Sequence, residues 1–149
     1  MSAKAAPTKP AINILVAEDD ANDVLLLKRA FTKAQVPAAL FFVSNGQEAI
    51  SYLEGQSPFD DRTTYPFPSV LLLDLNMPGV GGLEVLQWLA ARPDLSGLRV
   101  AIISSYLAPE ACRQAAKLGV QWCVTKPLDP LQLLPVFGEL QCPPDSPAA

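Results

Sequence analysis

Residues 70–82 read VLLLDLNMPGVGG, in which four apolar residues run directly into Asp74 and a turn rich in proline and glycine follows. A short, continuous apolar run bounded by turn residues is typical of a strand that is buried on both faces, as in a parallel sheet. Open α/β folds bind their ligands at the carboxyl edge of such a sheet. The stretch therefore predicts that Asp74 lies at the mouth of a binding site.

Apolar strands and amphipathic helices alternate along the rest of the chain. Four further strands are predicted, at residues 12–17, 39–43, 99–104 and 120–124. Helices are predicted at residues 23–34, 47–54, 83–91, 109–118 and 130–140, with loops at 55–68 and 93–97. Strict alternation predicts a doubly wound α/β fold, in which right-handed crossovers cover both faces of a five-stranded parallel sheet. We expect one domain at residues 11–140, between a disordered leader (1–10) and a disordered tail (141–149).

The composition excludes several classes of function. The net charge of −4 comes without a basic cluster, which argues against nucleic-acid binding, and no apolar run is long enough to span a membrane. The chain has no histidine, so catalysis by Ser-His-Asp or Cys-His groups and histidine-ligated metal sites are excluded. Its three cysteines are odd in number and lack paired metal spacing, which indicates reduced thiols and a cytoplasmic location.

Polar side chains follow four of the predicted strands. They are Glu18 and Asp19 after the first strand, Asp74 after the third, Ser104 after the fourth and Lys126 after the fifth. Because the carboxyl ends of parallel strands share one edge of the sheet, we expect these groups to converge. Three carboxylates in one pocket repel each other, and Mg²⁺, a hard cation that prefers oxygen ligands, would relieve that repulsion. The lysine adds a positive charge suited to phosphate.

This combination favours phosphoryl transfer onto Asp74, since a carboxylate can act as a nucleophile and hold an acyl phosphate. Mg²⁺, Lys126, the Ser104 hydroxyl and backbone N–H groups would stabilise the charge of the transferring group. Each feature alone also has a structural interpretation. A charged pair can merely begin a helix, a serine can belong to a turn, and a lysine can be plain surface charge. The agreement of four strand ends favours the functional interpretation.

Five short segments follow one another along the chain. They read ILVAEDD at residues 14–20, LLDLNMP at 72–78, GLEVL at 82–86, IISS at 102–105 and TKP at 125–127. As an ordered set they resemble the receiver domains of two-component response regulators. The resemblance covers residues 12–140. It implies the flavodoxin-like (βα)5 fold of the chemotaxis protein CheY, with strand order 2-1-3-4-5.

The resemblance also implies roles for individual residues. Asp74 would be the phosphoacceptor. Glu18, Asp19 and Asp74 would hold Mg²⁺, with the backbone carbonyl of Asn76 as a further ligand. Ser104 would be the switch hydroxyl that moves toward the phosphoryl group.

Three further residues follow from the same resemblance. Lys126 would contact the phosphate, and the family's cis peptide would join it to Pro127. The family's switch aromatic lies three residues before the lysine, where this chain has Cys123, so the usual coupling of the switch hydroxyl to an aromatic side chain is expected to differ.

The leading hypothesis is a single-domain response regulator that takes a phosphoryl group from a sensor histidine kinase. The long loop at 55–68 is similar to that of stand-alone receivers paired with phytochrome or PAS-containing kinases. Output would occur by protein contact or by relay to a histidine phosphotransfer protein, and a homodimer formed through the last helix is expected.

Two other classes of protein share parts of the pattern. A small phosphatase with a phospho-aspartate intermediate typically has Asp-x-Asp at its nucleophile, whereas the residue two positions after Asp74 is Asn76. A flavin-binding electron carrier needs a phosphate loop rich in hydroxyls and glycine after the first strand, where the acidic residues 18–20 would repel phosphate. We therefore expect no enzyme acting on external substrates.

Overall fold

The computed structural model describes residues 12–77, 79–120, 122–133 and 135–136. Strands and helices alternate through this part of the chain. The strands are β1 (Ile12–Ala17), β2 (Ala38–Val43), β3 (Val70–Asp74), β4 (Arg99–Ser104) and β5 (Trp122–Thr125). The α-helices are α1 (Ala21–Ala34), α2 (Gly46–Glu54), α3 (Gly82–Ala90) and α4 (Pro109–Lys117). The predicted leader and tail lie outside the described residues.

All four strand pairings are parallel, and the order across the sheet is β2-β1-β3-β4-β5. This order confirms the predicted flavodoxin-like fold. The chain moves outward from β1 to β2 and then returns to place β3 on the other side of β1. Ligands of open α/β sheets bind at such a reversal. The carboxyl ends of β1 and β3 are therefore the expected position of a site.

Two apolar layers cover the sheet, one on each face. Along β1, Leu15 faces the layer formed with α2, α3 and α4, while Ile14 and Val16 face the layer that contains Leu27 and Phe31 of α1. Successive strand residues point to opposite faces, so a strand covered on both sides must be apolar at every position. This explains the uninterrupted apolar run at residues 70–73 of β3, which are all buried, as is Asp74 at the end of the strand.

Side-chain caps begin the first two helices. The Asp20 carboxylate accepts hydrogen bonds from the backbone N–H of Asn22 at 2.7 Å and of Asp23 at 3.3 Å, which satisfies two donors that the helix leaves free. Asn45 accepts from the N–H of Glu48 at 2.8 Å in the same way at α2. The cap at Asp20 places the first turn of α1 directly beside the end of β1.

The last helix differs from the prediction of a regular helix at 130–140. Its first turn is a 3₁₀ helix, Pro130–Leu133, closed by a hydrogen bond from the Gln132 N–H to the Asp129 carbonyl at 2.8 Å. The Asp129 side chain also accepts from the Leu131 N–H at 2.9 Å. Proline has no N–H to donate and suits the first position, and tight turns are common at helix ends. Residues beyond 136 lie outside the described part.

The loop after α3 and the start of β5 also differ from the prediction, and the other helix and strand ends shift by two residues or fewer. The predicted loop at 93–97 contains a 3₁₀ turn, Pro93–Leu95, which begins at a proline. Strand β5 begins at Trp122 instead of residue 120, because the Val120 N–H is still bonded to the Ala115 carbonyl at 3.1 Å and Gly119 has a positive φ of 101°. Hydrogen bonds and turn geometry determine where the turn at Pro93–Leu95 and strand β5 begin. The spacing of apolar residues alone does not predict these positions.

The long loop at 55–68 is held by two side chains. The Arg62 guanidinium donates to the Tyr65 carbonyl at 3.1 Å and to the Leu53 carbonyl at 3.0 Å, and it lies over the Tyr52 ring. The Tyr52 hydroxyl donates to the Pro66 carbonyl at 3.0 Å. The loop is thus packed against α2.

None of the helices in the described part combines the length and the hydropathy that a membrane crossing requires.

Candidate functional site

The ends of three neighbouring strands supply the buried polar side chains of the described residues. These are Glu18 directly after β1, Asp74 at the end of β3 and Ser104 at the end of β4, with exposed fractions of 3%, 4% and 0%. Burying polar groups costs free energy unless they find partners. Their partners therefore show how the site is built.

One ammonium group holds three carboxylates together. Lys126 Nζ lies 2.5 Å from Glu18 Oε1, 2.7 Å from Asp23 Oδ2 and 2.9 Å from Asp74 Oδ2. The lysine follows β5, and its backbone N–H donates to the Ser104 carbonyl at 2.8 Å, which anchors the side chain at this edge. An ammonium group has three hydrogens to donate. Lys126 donates to Asp23 and Asp74, and it pairs with Glu18 by charge at short distance.

Burial and charge shift two pKa values at this site in the same direction. Burial alone would lower the pKa of Lys126, but its contacts with the carboxylates of Asp23, Glu18 and Asp74 outweigh burial, so the pKa lies above its ordinary value. For Glu18, burial raises the pKa, and the negative charge of Asp74 raises it further. The contacts with Lys126 and with the Asp20 N–H lower the pKa but do not cancel this rise. A further positive charge in this pocket would therefore stabilise the ionised form of Glu18.

The acidic residues fit a hard divalent cation. Carboxylate oxygens of Glu18, Asp19 and Asp74 lie within 4.8 Å of one another. Glu18 Oε1 is buried and accepts no hydrogen bond of regular geometry, despite its closeness to the lysine. Asp19 is exposed, so the cluster opens to water. Mg²⁺ prefers one or two carboxylates and retains several waters. These three residues form an all-oxygen donor set of that kind, with one side open to solvent.

A chain of hydrogen bonds leads from Asp74 to the loop after β4. Asp74 Oδ1 accepts from the backbone N–H of Asn76 at 2.9 Å, and the Asn76 side-chain amide donates to Ser104 Oγ at 3.1 Å. The Ser104 hydroxyl in turn donates to the Tyr106 carbonyl at 3.0 Å. The hydroxyl is thus coupled to a loop residue whose side chain is 71% exposed.

A glycine allows α3 to begin immediately beside the site. A Cβ atom at Gly82 would lie 2.7 Å from the Asp74 carbonyl oxygen and 2.8 Å from Leu75 Cα, which is closer than carbon atoms can approach backbone. The Gly82 N–H also points to the Leu75 carbonyl, at 3.4 Å. Only glycine permits this close approach. The turn after Asp74 is therefore tightly packed against the helix that follows.

The structure brings together four of the residues that the sequence singled out: Glu18, Asp19, Asp74 and Lys126. Ser104 joins them through Asn76, whose amide and N–H contact the serine and Asp74. The expected cis peptide between Lys126 and Pro127 is confirmed.

Sequence reasoning missed Asp23, the third partner of Lys126. The signal was an acidic residue in the first turn of the helix that follows β1. The sequence pattern alone indicates only that this residue begins the predicted helix at 23–34.

Three comparisons with known proteins agree with this geometry. The family described as "Response regulator receiver domain" matches residues 14–137. The response regulator Rcp1 of Synechocystis is 30% identical over 98 residues, which cover 66% of this chain and 65% of Rcp1, slightly less than two thirds of its length. The Mn²⁺-bound form of Rcp1 has a TM-score of 0.72 at 24% identity, covering 92% of this chain and 99% of Rcp1, and shows the shared fold.

Two other solved structures are similar across most of the chain. The bacteriophytochrome response regulator AtBRR has a TM-score of 0.77 and 30% identity, covering 89% of this chain and 94% of AtBRR. The phosphorylated cyanobacterial phytochrome response regulator RcpA has a TM-score of 0.71 and 27% identity, covering 88% of this chain and 91% of RcpA. With its parallel sheet and its acidic pocket, the chain belongs to the response regulator receiver domains, the signalling modules of two-component systems.

Proposed function

We propose that Asp74 accepts a phosphoryl group from a sensor histidine kinase in a reaction that requires Mg²⁺. The observation that carries this proposal is the contact of Lys126 Nζ with Asp74 Oδ2 at 2.9 Å, inside a cluster of three carboxylates. The cluster suits a cation, and the lysine suits a phosphoryl oxygen. A bound cation and Lys126 would together place positive charge around the buried Asp74 carboxylate.

The transfer reaction needs one bond to form and one to break. A carboxylate oxygen of Asp74 attacks phosphorus, while the bond from phosphorus to the donor histidine nitrogen breaks. The electron pair of that bond returns to the imidazole, which takes a proton from water. Lys126 keeps its charge throughout and neutralises an equatorial phosphoryl oxygen. Mg²⁺, held by Glu18, Asp19, Asp74 and the Asn76 carbonyl, would supply a second positive charge to the same oxygens.

The residue two positions after Asp74 supports a signalling role over turnover of external substrates. Asn76 has an amide in place of the second carboxylate of an aspartate-based phosphatase, and that amide donates to Ser104 at 3.1 Å. An amide cannot act as a general acid for a leaving group. The proposed chemistry is therefore limited to phosphorylation and dephosphorylation of Asp74 itself.

Ser104 is the proposed switch. Its hydroxyl now donates to the Tyr106 carbonyl at 3.0 Å. A phosphoryl group on Asp74 offers stronger, charged acceptor oxygens, so the hydroxyl would leave Tyr106 for the phosphoryl group. The loop that carries Tyr106 would then be released. Phosphorylation would thus shift an equilibrium between two arrangements of this loop.

The relatives support a particular class of phosphoryl donor. AtBRR and RcpA are described as bacteriophytochrome and phytochrome response regulators. We accordingly propose a phytochrome-type sensor histidine kinase as the donor, with output by protein contact or by relay to a histidine phosphotransfer protein.

We also propose a homodimer formed through the last helix, whose first turn carries Leu131 at 54% exposure. A monomer mass that does not change with concentration in light scattering would rule out the dimer.

Incubation with acetyl phosphate tests the proposed chemistry. Intact-protein mass is measured with Mg²⁺ and with EDTA, for the wild type, for Asp74→Asn and for Asp60→Asn, a control in the exposed part of the loop at 55–68. We expect one phosphoryl adduct in the wild type and in the control, formed only with Mg²⁺, and none in Asp74→Asn. An adduct on Asp74→Asn, or no adduct on the wild type, would contradict the proposal.

A further inference from the structure

Asp23 is the partner of Lys126 that the proposed reaction does not use. Its Oδ2 atom accepts a hydrogen bond from Lys126 Nζ at 2.7 Å, beside the contact of the same nitrogen with Asp74 Oδ2 at 2.9 Å. Glu18 is a proposed metal ligand and Asp74 is the proposed phosphoacceptor, whereas no step of the reaction claims the carboxylate of Asp23. It is therefore the acceptor that Lys126 can keep throughout.

The start of α1 fixes where Asp23 lies. Asp23 belongs to the first turn of this helix, and its backbone N–H donates to Asp20 Oδ1 at 3.3 Å. The side chains of Asp23 and Lys126 are 30% and 14% exposed, so their contact is partly buried. It joins two residues that are 103 positions apart in the chain, and it thereby ties the start of α1 to the segment after β5.

The surroundings of this ion pair are largely apolar. Asp23 and Lys126 line a cavity of about 170 Å³, together with side chains that include Leu26, Leu27 and Ile103. Apolar walls and partial burial reduce the screening of charges by water, so an ion pair here is stronger than one on the open surface. The contact with Asp23 therefore restrains the ammonium group.

The other two contacts of Lys126 change during the proposed reaction. A cation bound by Glu18 would compete with the ammonium group for its oxygen, and phosphorylation would convert the Asp74 carboxylate into an acyl phosphate. A lysine side chain is long and flexible, so it stays in one position only while an acceptor holds it. Asp23 can do this, because it contacts the lysine and is not part of the acidic cluster that fits a cation.

We propose that Asp23 is a positioning residue, which holds the ammonium group of Lys126 at the phosphoryl site from the side of α1. This role rests on the proposed function, since it belongs to the phosphorylation of Asp74. Asp23 transfers no proton and contacts no phosphoryl oxygen, and it acts only through the lysine. Without its charge, Lys126 would be drawn onto Glu18 and Asp74, the carboxylates that must be free for the cation and for attack on phosphorus.

The rate of phosphorylation tests this role. Wild type, Asp23→Asn and Asp20→Asn are incubated with increasing acetyl phosphate at saturating Mg²⁺, and adduct formation is followed by intact-protein mass. Asp20→Asn is the control, because it removes one charge from the same end of α1 and asparagine caps a helix as well as aspartate does. The maximal rate constant should fall about tenfold in Asp23→Asn, because a misplaced positioning group slows reaction, and less than about twofold in the control, whose charge is exposed and screened.

A second measurement observes the lysine directly, without metal or phosphoryl donor. Ammonium protons held by hydrogen bonds are protected from exchange with water, so NMR of protein labelled with ¹⁵N-lysine can detect them. We expect an Nζ signal from Lys126 in the wild type and in Asp20→Asn, and its loss in Asp23→Asn. The backbone amide spectrum shows in the same samples that each variant is folded.

The wild type tests the proposed function, and the variants test the role of Asp23. No adduct on the wild type would contradict the proposed function and, with it, the positioning role. An adduct that forms on Asp23→Asn at the wild-type maximal rate, or faster, would overturn the positioning role alone. So would an equal loss of rate in Asp20→Asn, or a Lys126 signal that persists in Asp23→Asn.

Discussion

Lys126 Nζ lies 2.9 Å from Asp74 Oδ2, and the same nitrogen is shared with Glu18 and Asp23. One positive charge thus faces three carboxylates, and exposed Asp19 adds a fourth at the opening of the pocket. The unbalanced negative charge makes the pocket attractive to a divalent cation. The contact of Lys126 with Asp74 also places the proposed nucleophile beside the ammonium group that would bind the phosphoryl oxygens.

Replacing Lys126 with methionine should destabilise the protein. Buried Glu18 and Asp74 would lose their counter-charge, and breaking a buried ion pair by removing one partner costs about 3 kcal/mol or more. Urea denaturation in EDTA measures the change in free energy of unfolding. Lys117→Met, at an exposed position in the last turn of α4, is the control and should change it by less than about 0.5 kcal/mol. Equal urea midpoints for the two variants would contradict the role given to Lys126.

Mg²⁺ should stabilise the folded protein, and Asp19 should be needed for this. A cation that binds only the folded state raises stability according to its concentration and affinity. We expect Asp19→Asn to weaken Mg²⁺ binding about tenfold, because one of three carboxylate ligands is lost. Thermal unfolding over a series of Mg²⁺ concentrations measures this, with Asp60→Asn as the control. If Mg²⁺ raises the unfolding temperature of Asp19→Asn as much as it raises that of the wild type, the metal assignment is wrong.

Gly82→Ala should damage both the fold and the site. The added Cβ would press against the Asp74 carbonyl and Leu75 Cα, so the end of β3 must move, and overpacking of this kind costs about 1–3 kcal/mol. Gly97→Ala is the matched control, since a Cβ there meets nothing within 4 Å. Calorimetry gives the stabilities, and the rate of adduct formation with acetyl phosphate should fall only for Gly82→Ala. The same loss of stability in both variants would refute the steric argument.

The sequence was sufficient for the sheet and for the convergence of Glu18, Asp74, Ser104 and Lys126 at one edge. Strand alternation fixes both, because parallel strand ends share an edge whatever the loops do. The ion pair of Lys126 with Asp23 was not predicted, since it depends on how the first turn of α1 sits beside β5.

One further feature lay beyond a sequence-based prediction. The 3₁₀ start of the last helix at Pro130 results from a tight hydrogen bond between Gln132 and Asp129, whereas apolar spacing predicts only that a helix exists.

Tyr52 should make stability depend on pH in the alkaline range. Burial is the main cause that raises its pKa, from 10.0 to about 12. Between these two values the unfolded chain loses the phenol proton while the folded chain keeps it, so stability falls as pH rises. At neutral pH, Tyr52→Phe should cost about 1 kcal/mol, because the Pro66 carbonyl loses its donor. Urea denaturation at pH 8 to 11 should therefore show the stability gap between wild type and variant narrowing; a constant gap would contradict this account.

Locating the phosphoryl group tests the central claim most directly. After incubation with acetyl phosphate and Mg²⁺, borohydride reduces an aspartyl phosphate to homoserine, and peptide mass spectrometry then identifies the converted residue. We predict conversion at Asp74 alone, and none in EDTA. Conversion at Asp19 or Asp23, or unchanged Asp74 in protein that carries a phosphoryl adduct, would contradict the assignment of Asp74 as the phosphoacceptor.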